Sequence, residues 1–385
     1  MGSQTHSKVP RESLRGIEPC YLVRGEGCRV WDVDGNEYVD FRAGLGPITL
    51  GYAYPAVVEA VQKQAADGFV YSYAHPLEVA LAKDLIELIP CAEQVRFLKT
   101  GGEAMAAAHR LARAYTKRDI ILSSGYHGWV NTMTRPGVPE VVQSVYEALP
   151  WGDTQAFEDA LKRNPENVAA ISVSCDYVGM DQALAFLGEL RRLSDEHGAL
   201  LIYDEVVTGF RLRTGGAQEL FGVTPDLSVF AKGMSNGVPL SCYVGKRDIM
   251  ETVREAAVSS TFGGDALGLA AARAVIGVYR TEEVIETLWA RGEQLHRGVN
   301  EIADRNGVDA GFLGYSPLGV FGFRAGDGAT DSQLYDRMCA EMFKRGILLY
   351  SVCYPCYSHS AEDIDLALNA FDDSFAAMRR DSVWG

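Results

Sequence analysis

Four stretches of this 385-residue chain hold residue types that can do covalent and acid–base chemistry. "LSVFAKGMSNG" (227–237) places Lys232 at the end of a short apolar run and follows it with Gly233, Ser235, Asn236 and Gly237. Lysine is rarely buried without a partner, because moving an ammonium out of water is expensive. A lysine at a strand mouth among small residues therefore invites a chemical use, although most lysines are merely solvated. One apolar run earlier, "ALLIYDEV" (199–206) ends in Asp204 and Glu205. In "VRFLKTGGE" (95–103), Thr100 and Glu103 have the spacing of a capping box, and Gly101-Gly102 lets backbone approach a ligand. The free N–H groups of a helix start favour an anion there. After "DIILSSG" come Tyr126, His127, Gly128 and Trp129, an aromatic cluster on which a planar molecule could stack.

These groups need elements that bring them together. "VRFLKT", "DIILSS", "NVAAISVS", "ALLIYDEV", "LSVFA" and "LSCYVG" are short Val/Ile/Leu-rich runs, several separated by helix-patterned segments such as "EAMAAAHRLARAYT" and "QALAFLGELRRLSDEHG". Such strands, apolar on both faces and joined through helices, predict an α/β fold with a mainly parallel sheet. Ligands bind such sheets beyond the carboxyl ends of the strands, where the four stretches lie. "GCRVWDVDGNEYVDF" (27–41) predicts an antiparallel hairpin turning at Asp34-Gly35. Beyond about residue 265 the pattern is mostly helical, with "GVFGFRA" and "GILLYSV" expected to pair as strands. The expected organisation is residues 1–50 as the first part of a small α+β domain, 51–270 as the large domain and 271–385 as the rest of the small domain.

Composition narrows the function. The 36 basic against 51 acidic residues give a net charge of −15 without any Lys/Arg-rich run, so nucleic acid is not an expected partner. No apolar stretch approaches the length of a membrane span, and "MGSQTHSKVPRESLRG" lacks the apolar core of a secretory signal, so a cytoplasmic protein is expected. Eight scattered cysteines are expected to be reduced thiols. Cys353 and Cys356 form a single C-x-x-C with no second pair to complete a zinc site, and no metal is expected.

A lysine, an acid one strand away, an anion cradle and ring contacts together meet the needs of pyridoxal phosphate. Lys232 would hold it as an imine and later move protons, and Asp204 would keep its pyridine nitrogen protonated. "LIYDEVVTGFRLRTGGAQELFGVTPDLSVFAKGMSNGVPL" (201–240) resembles the signature of class III aminotransferases, fold-type I pyridoxal-phosphate enzymes. "RVWDVDGNEYVDF", "GPITLGYAYPAV", "GYHGW" and "TFGGDALGLAAA" extend the likeness over most of the chain, towards the glutamate-1-semialdehyde aminomutase-like branch.

The resemblance implies a fold-type I transferase and a homodimer with shared active sites, acting on a small-molecule amino donor and a keto or aldehyde acceptor. It implies that Lys232 is the imine lysine and Asp204 the pyridine partner. Thr100, Gly101 and Gly102 match the phosphate loop, Tyr126 the ring-stacking residue with His127 beside it, and Val206 the opposite ring face. Thr261 would reach the phosphate from the other subunit. Arg24, in "YLVRGEG", would hold a substrate carboxylate, with Trp129 also on the substrate side.

The chain departs from the family pattern where substrate is handled. Cys175 and Asp176 stand where a Glu-Pro pair is usual, the segment after "GYHGW" is short, and "SVCYPCYSHSAEDID" lacks an aromatic-rich piece. An aminotransferase in a biosynthetic pathway is therefore expected, the alternatives being an aminomutase, racemase, lyase or decarboxylase on the same fold.

Overall fold

The computed structural model describes residues 2–130, 136–324 and 332–380. Residues 131–135, in the short segment after Trp129, and Ala325, at the end of the predicted run "GVFGFRA", lie outside the described residues. The chain forms two compact units, one of residues 1–54 and 286–385 and one of residues 55–285. The second junction lies beyond the 270/271 boundary read from composition. The helix Ala266–Thr281 belongs with the helices Pro55–Asp67 and Pro76–Leu88, on which it packs.

The larger unit is built on a seven-stranded sheet. Its order is Gln94–Leu98, Ser241–Gly245, Leu227–Phe230, Leu200–Asp204, Val168–Ser174, Ile120–Ser124 and Tyr146–Ala148. Only Ser241–Gly245 runs against its neighbours, so the remaining pairings are parallel, as the continuous apolar runs predict. Successive residues of the central strands feed opposite cores. Leu200 and Ile202 pack with Ala104, Met105, Ala108 and Leu111 of the helix Gly101–Thr116. Leu201 and Tyr203 pack with Phe186, Leu187 and Leu190 of the helix Met180–His197. The two-residue period puts Asp204 on the side of Ile202, facing the helix that begins at Gly101.

A buried ion cluster ties three of these segments together. Asp226 accepts hydrogen bonds from Arg191 Nη1 (2.9 Å), Lys246 Nζ (2.5 Å) and the Leu201 backbone N–H (2.8 Å). Burial alone would raise its pKa, but the bonds from Lys246 and Leu201 and the charge of Arg191 outweigh that and hold it below the usual carboxylate value. Its contribution to stability is therefore complete above the unfolded pKa of about 3.9 and is lost as pH falls through the lower folded value. Asp226→Asn takes the partner from the half-exposed Lys246 and one of two carboxylates from Arg191, which keeps Asp195, and is expected to cost about 2 kcal/mol at neutral pH. Urea denaturation at pH 7 and pH 3 checks this, the difference between the two proteins shrinking at the lower pH.

In the smaller unit the predicted hairpin forms: Arg29–Asp32 pairs antiparallel with Glu37–Asp40. Asp32 Oδ1 accepts from the backbone N–H groups of Asp34 and Asn36 inside the turn. The expected pairing of the two late apolar runs is only partly realised. Val352–Cys353 pairs with Gly319–Phe323, but Ile347–Leu348 lies parallel to Glu37–Asp40. The "GILLYSV" run is thus split between two sheets, with Phe321 N–H bonded to Ser351 O at the point where it switches. The two thiols of the C-x-x-C also part. Cys353 Sγ faces Tyr350 O (3.3 Å), whereas Cys356 Sγ faces His359 Nδ1 (3.1 Å).

Candidate active site

Five strand ends of the larger unit converge on a cavity of about 510 Å³. Thr100, Gly101 and Gly102 follow Gln94–Leu98, and Ser124 to Trp129 close Ile120–Ser124. Cys175, Asp176 and Tyr177 follow Val168–Ser174, Asp204 and Val206 to Thr208 follow Leu200–Asp204, and Lys232 follows Leu227–Phe230.

The helix Gly101–Thr116 starts with the predicted capping box. Thr100 Oγ1 accepts from the Glu103 N–H (3.2 Å) and Glu103 Oε2 accepts from the Thr100 N–H (3.0 Å). These bonds leave the Gly101 and Gly102 N–H groups without a hydrogen-bond partner among the described residues, at the positive end of a four-turn helix. Gly101 and Gly128 are sterically required, whereas a Cβ on Gly102 would make only ordinary contacts, the nearest 3.5 Å from Gly128 Cα. A Cβ on Gly101 would stand 2.8 Å from Val206 Cγ2. Gly128, at φ +91°, is close enough to Gly102 that a Cβ on Gly128 would stand 2.6 Å from Gly102 Cα. Backbone alone therefore closes this corner, forming a cradle for a small anion. Gly128→Ala is expected to weaken anion-bearing ligands at least about tenfold, since strained backbone of this kind costs about 1–3 kcal/mol. Calorimetric titration of the variant with pyridoxal phosphate checks this.

Asp204 is buried with each carboxylate oxygen held once. Oδ1 accepts from the Val206 N–H (3.1 Å), and Oδ2 meets His127 Nδ1 at 2.9 Å. The other nitrogen of His127 lies 3.3 Å from Ser172 O, a carbonyl that can only accept, so Nε2 keeps its hydrogen. A second histidine stands behind. His109 Nε2 is 2.9 Å from Ser172 Oγ and its ring meets that of His127 edge-on at 6.1 Å. Burial, then the charges of His127 and Arg113, hold His109 well below the usual histidine pKa and so neutral. Sequence reading missed this support because His109 looks like one polar residue in an alanine-rich helix. Its only signal was a histidine on the inward face.

Glu205, adjacent to Asp204 in sequence, turns away from the cavity. It accepts from Thr208 Oγ1 and from the N–H groups of Ala217 (2.8 Å) and Gln218 (3.0 Å) at the start of the helix Ala217–Phe221. Burial pushes its carboxyl up to about 7 against those bonds. Of the two neighbouring acids, only Asp204 lines the cavity.

Lys232 opens a 3₁₀ turn with φ +45°, a left-handed conformation uncommon outside glycine. The strand before it is buried, so the turn projects the lysine from the sheet edge into the cavity. Burial lowers its amine pKa to about 8; Asp204 opposes that shift and the buried Arg211 adds to it. About a tenth of such an amine is neutral and nucleophilic at pH 7, against far less for an ordinary lysine.

Tyr126, His127, Trp129 and Val206 also line the cavity. Thr261 and Arg24 do not. Thr261 is exposed on the same unit, and Arg24 lies on the strand Leu22–Glu26 of the smaller unit. There it is ion-paired with Glu26 and stacked 4.3 Å from the Trp31 ring centre. Trp151, Ser124, Ser174 and Tyr177 line the cavity without having been singled out in sequence. Among the described residues no group of three or more His, Cys, Asp or Glu side chains could hold a metal ion.

Residues 13–373 match the family described as aminotransferase class-III. The chain belongs to the class-III aminotransferase family. This aminotransferase is 36% identical to a glutamate-1-semialdehyde 2,1-aminomutase of Syntrophobacter fumaroxidans, over 94% of this chain and 92% of that protein. It is also 36% identical to the 2'-deamino-2'-hydroxyneamine transaminase of Streptomyces kanamyceticus, with the same coverage. The FumI protein of Sphingopyxis sp. MTA144, solved in its PLP internal aldimine form, superposes with a TM-score of 0.90 at 28% identity, over 97% of this chain and 93% of that one. The aminotransferase thus has the expected α/β, fold-type I architecture.

Proposed function

We propose that the cavity binds pyridoxal 5'-phosphate and moves an amino group between a small-molecule amino donor and a keto or aldehyde acceptor. The observation that carries this is the convergence of Lys232, Asp204 and the Gly101/Gly102 cradle on one cavity. The residues fit the cofactor. Gly101 and Gly102 offer two N–H groups to its phosphate, Tyr126 and Val206 supply ring contacts, and Lys232 is the covalent anchor. Bound there, the cofactor supplies a ring that accepts electrons from the substrate's Cα.

The chain's own groups do the rest. Asp204, held by His127 and the Val206 N–H, keeps negative charge beside the ring nitrogen. Lys232 would anchor the cofactor and, as a free amine, would take the proton from the substrate's Cα, a role its lowered pKa suits near neutral pH. Thr261 reaches the phosphate of a partner subunit, so the working form is a homodimer. Exposed apolar residues of the same unit, Phe69, Tyr73 (90% exposed) and Phe262, give such a partner a surface to cover. Arg24 holds a substrate carboxylate and Trp129 lies against the substrate. A cytoplasmic location suits eight cysteines none of which is in a disulfide, and among the described residues no helix is long and apolar enough to cross a membrane.

The aminomutase relative favours a second reading, transfer within one substrate by the same residues. Mixing the cofactor-loaded protein with single amines and following the visible band tests both. An aminotransferase is expected to be driven stoichiometrically to the pyridoxamine form with release of a carbonyl product, and to recover with a keto acceptor. Isomerised product without net discharge supports the aminomutase. Absence of any conversion across a broad amine panel contradicts both.

A further inference from the structure

We propose that the hydroxyl of Ser174 donates a hydrogen bond to the 3-oxygen of the bound cofactor. This rests on the proposed binding of pyridoxal phosphate and adds a contact on the ring edge that Lys232, Asp204 and the glycine cradle leave uncovered.

The first observation is the order of the strand ends. The cradle follows the edge strand Gln94–Leu98, Lys232 follows Leu227–Phe230, and Asp204 and Ser174 end the next two strands of the sheet. On pyridoxal phosphate the 3-oxygen and the phosphate arm flank the formyl carbon on opposite sides. With the nitrogen at Asp204, the formyl carbon at Lys232 and the phosphate at Gly101 and Gly102, the 3-oxygen edge turns away from the cradle. It then faces the end of Val168–Ser174.

The second observation is the direction of the serine. Ser174 is in register with Asp204 across one parallel strand spacing of about 4.8 Å, so the two side chains leave the same face of the sheet. Ser172, two residues earlier, marks that face: its Oγ lies 2.9 Å from His109 Nε2 on the helix Gly101–Thr116. Gly125, at φ +100°, leaves room for the Ser174 hydroxyl, since a Cβ there would overlap Ser174 Oγ.

The third observation is that this hydroxyl is open and uncommitted. Ser174 is half-buried and lines the cavity, and its Oγ, without a hydrogen-bond partner among the described residues, stays accessible. The neighbouring groups are not donors of this kind. Asp176, when ionised, only accepts, Cys175 Sγ faces Asp176 O at 3.7 Å, and both ring nitrogens of His127 are taken. Tyr126 serves the ring face, and Tyr177 already has a partner. Ser124 is in register with Val173 and leaves the opposite face of the sheet. Trp151 Nε1 has no acceptor among the described residues, but it is sealed behind Gly179, where a Cβ would stand 2.7 Å from it.

In a pyridoxal imine one proton bridges the nitrogen and the 3-oxygen, and its loss leaves negative charge on that oxygen. A donor at the 3-oxygen therefore favours the deprotonated form and lowers the pH at which the visible band titrates. In the full-length, cofactor-loaded protein, Ser174→Ala is expected to raise the midpoint of that titration by about one unit. A second arm needs no covalent bond. In the Lys232→Ala background, Ser174→Ala is expected to weaken pyridoxal phosphate at least about fivefold by calorimetry, and its 3-deoxy analogue less than about twofold. A midpoint unmoved by Ser174→Ala, or equal losses for the two cofactors, overturns the proposal. If the native protein takes up the cofactor without forming the band, the lysine-anchor reading fails by itself, and the calorimetric comparison decides the role of Ser174. If neither cofactor binds, both readings fall.

Discussion

Lys232→Ala is expected to leave less than about one thousandth of the turnover of the native protein and to abolish the visible band of the lysine-bound cofactor. The size follows from the two roles proposed for one residue, covalent anchor and carrier of the substrate's Cα proton. Lys232→Arg should fare no better, because guanidinium stays protonated and is not a nucleophile at any working pH. The lowered pKa adds a signature that a merely structural lysine would not give. With the amine near pH 8 in the cofactor-free protein, the rate of cofactor capture is expected to rise about tenfold between pH 7 and pH 9 and then level off. A rise continuing to pH 10.5 would mean that burial does not lower this amine. Stopped-flow absorbance resolves the two profiles.

Asp204→Asn is expected to lower turnover roughly a hundred- to thousandfold, comparable with removing a preorganised charge from other buried sites. The substitution preserves size but removes the negative charge facing the ring nitrogen. It also changes what His127 Nδ1 meets at 2.9 Å. The proposed phosphate cradle lies elsewhere, at Gly101 and Gly102, so cofactor affinity should fall much less than turnover. Steady-state kinetics together with a cofactor titration check this, and parallel losses in both would place Asp204 in anchoring instead of charge stabilisation. His109→Leu should give a milder form of the same defect through Ser172 and His127.

Much of this arrangement was legible from residue types at strand ends. The small residues after Lys232 marked a close turn, and Asn236 and Gly237 both adopt positive φ in the structure. Thr100 and Glu103 announced a capped helix start by spacing alone. The doublet Asp204-Glu205 offers two acids by residue type, and the sequence reading took Asp204. The alternation of the strand turns Asp204 towards the helix Gly101–Thr116 and leaves Glu205 to cap Ala217 and Gln218. The His109–Ser172–His127 chain was not legible, since its members come from a helix, a strand and a loop with no shared spacing. Trp151 was hidden for the same reason: a lone tryptophan in a turn shows no sign in sequence that its N–H will be left without an acceptor. "GILLYSV" misled because a continuous apolar run does not reveal that its two halves enter different sheets.

The central claim is that Lys232 is the covalent anchor of pyridoxal phosphate. It is tested most directly by loading the native protein with the cofactor, reducing it with borohydride and mapping the pyridoxyl-bearing peptide by mass spectrometry. The account predicts one adduct, on Lys232, absent from Lys232→Ala. An adduct on another lysine, or none at all, contradicts it.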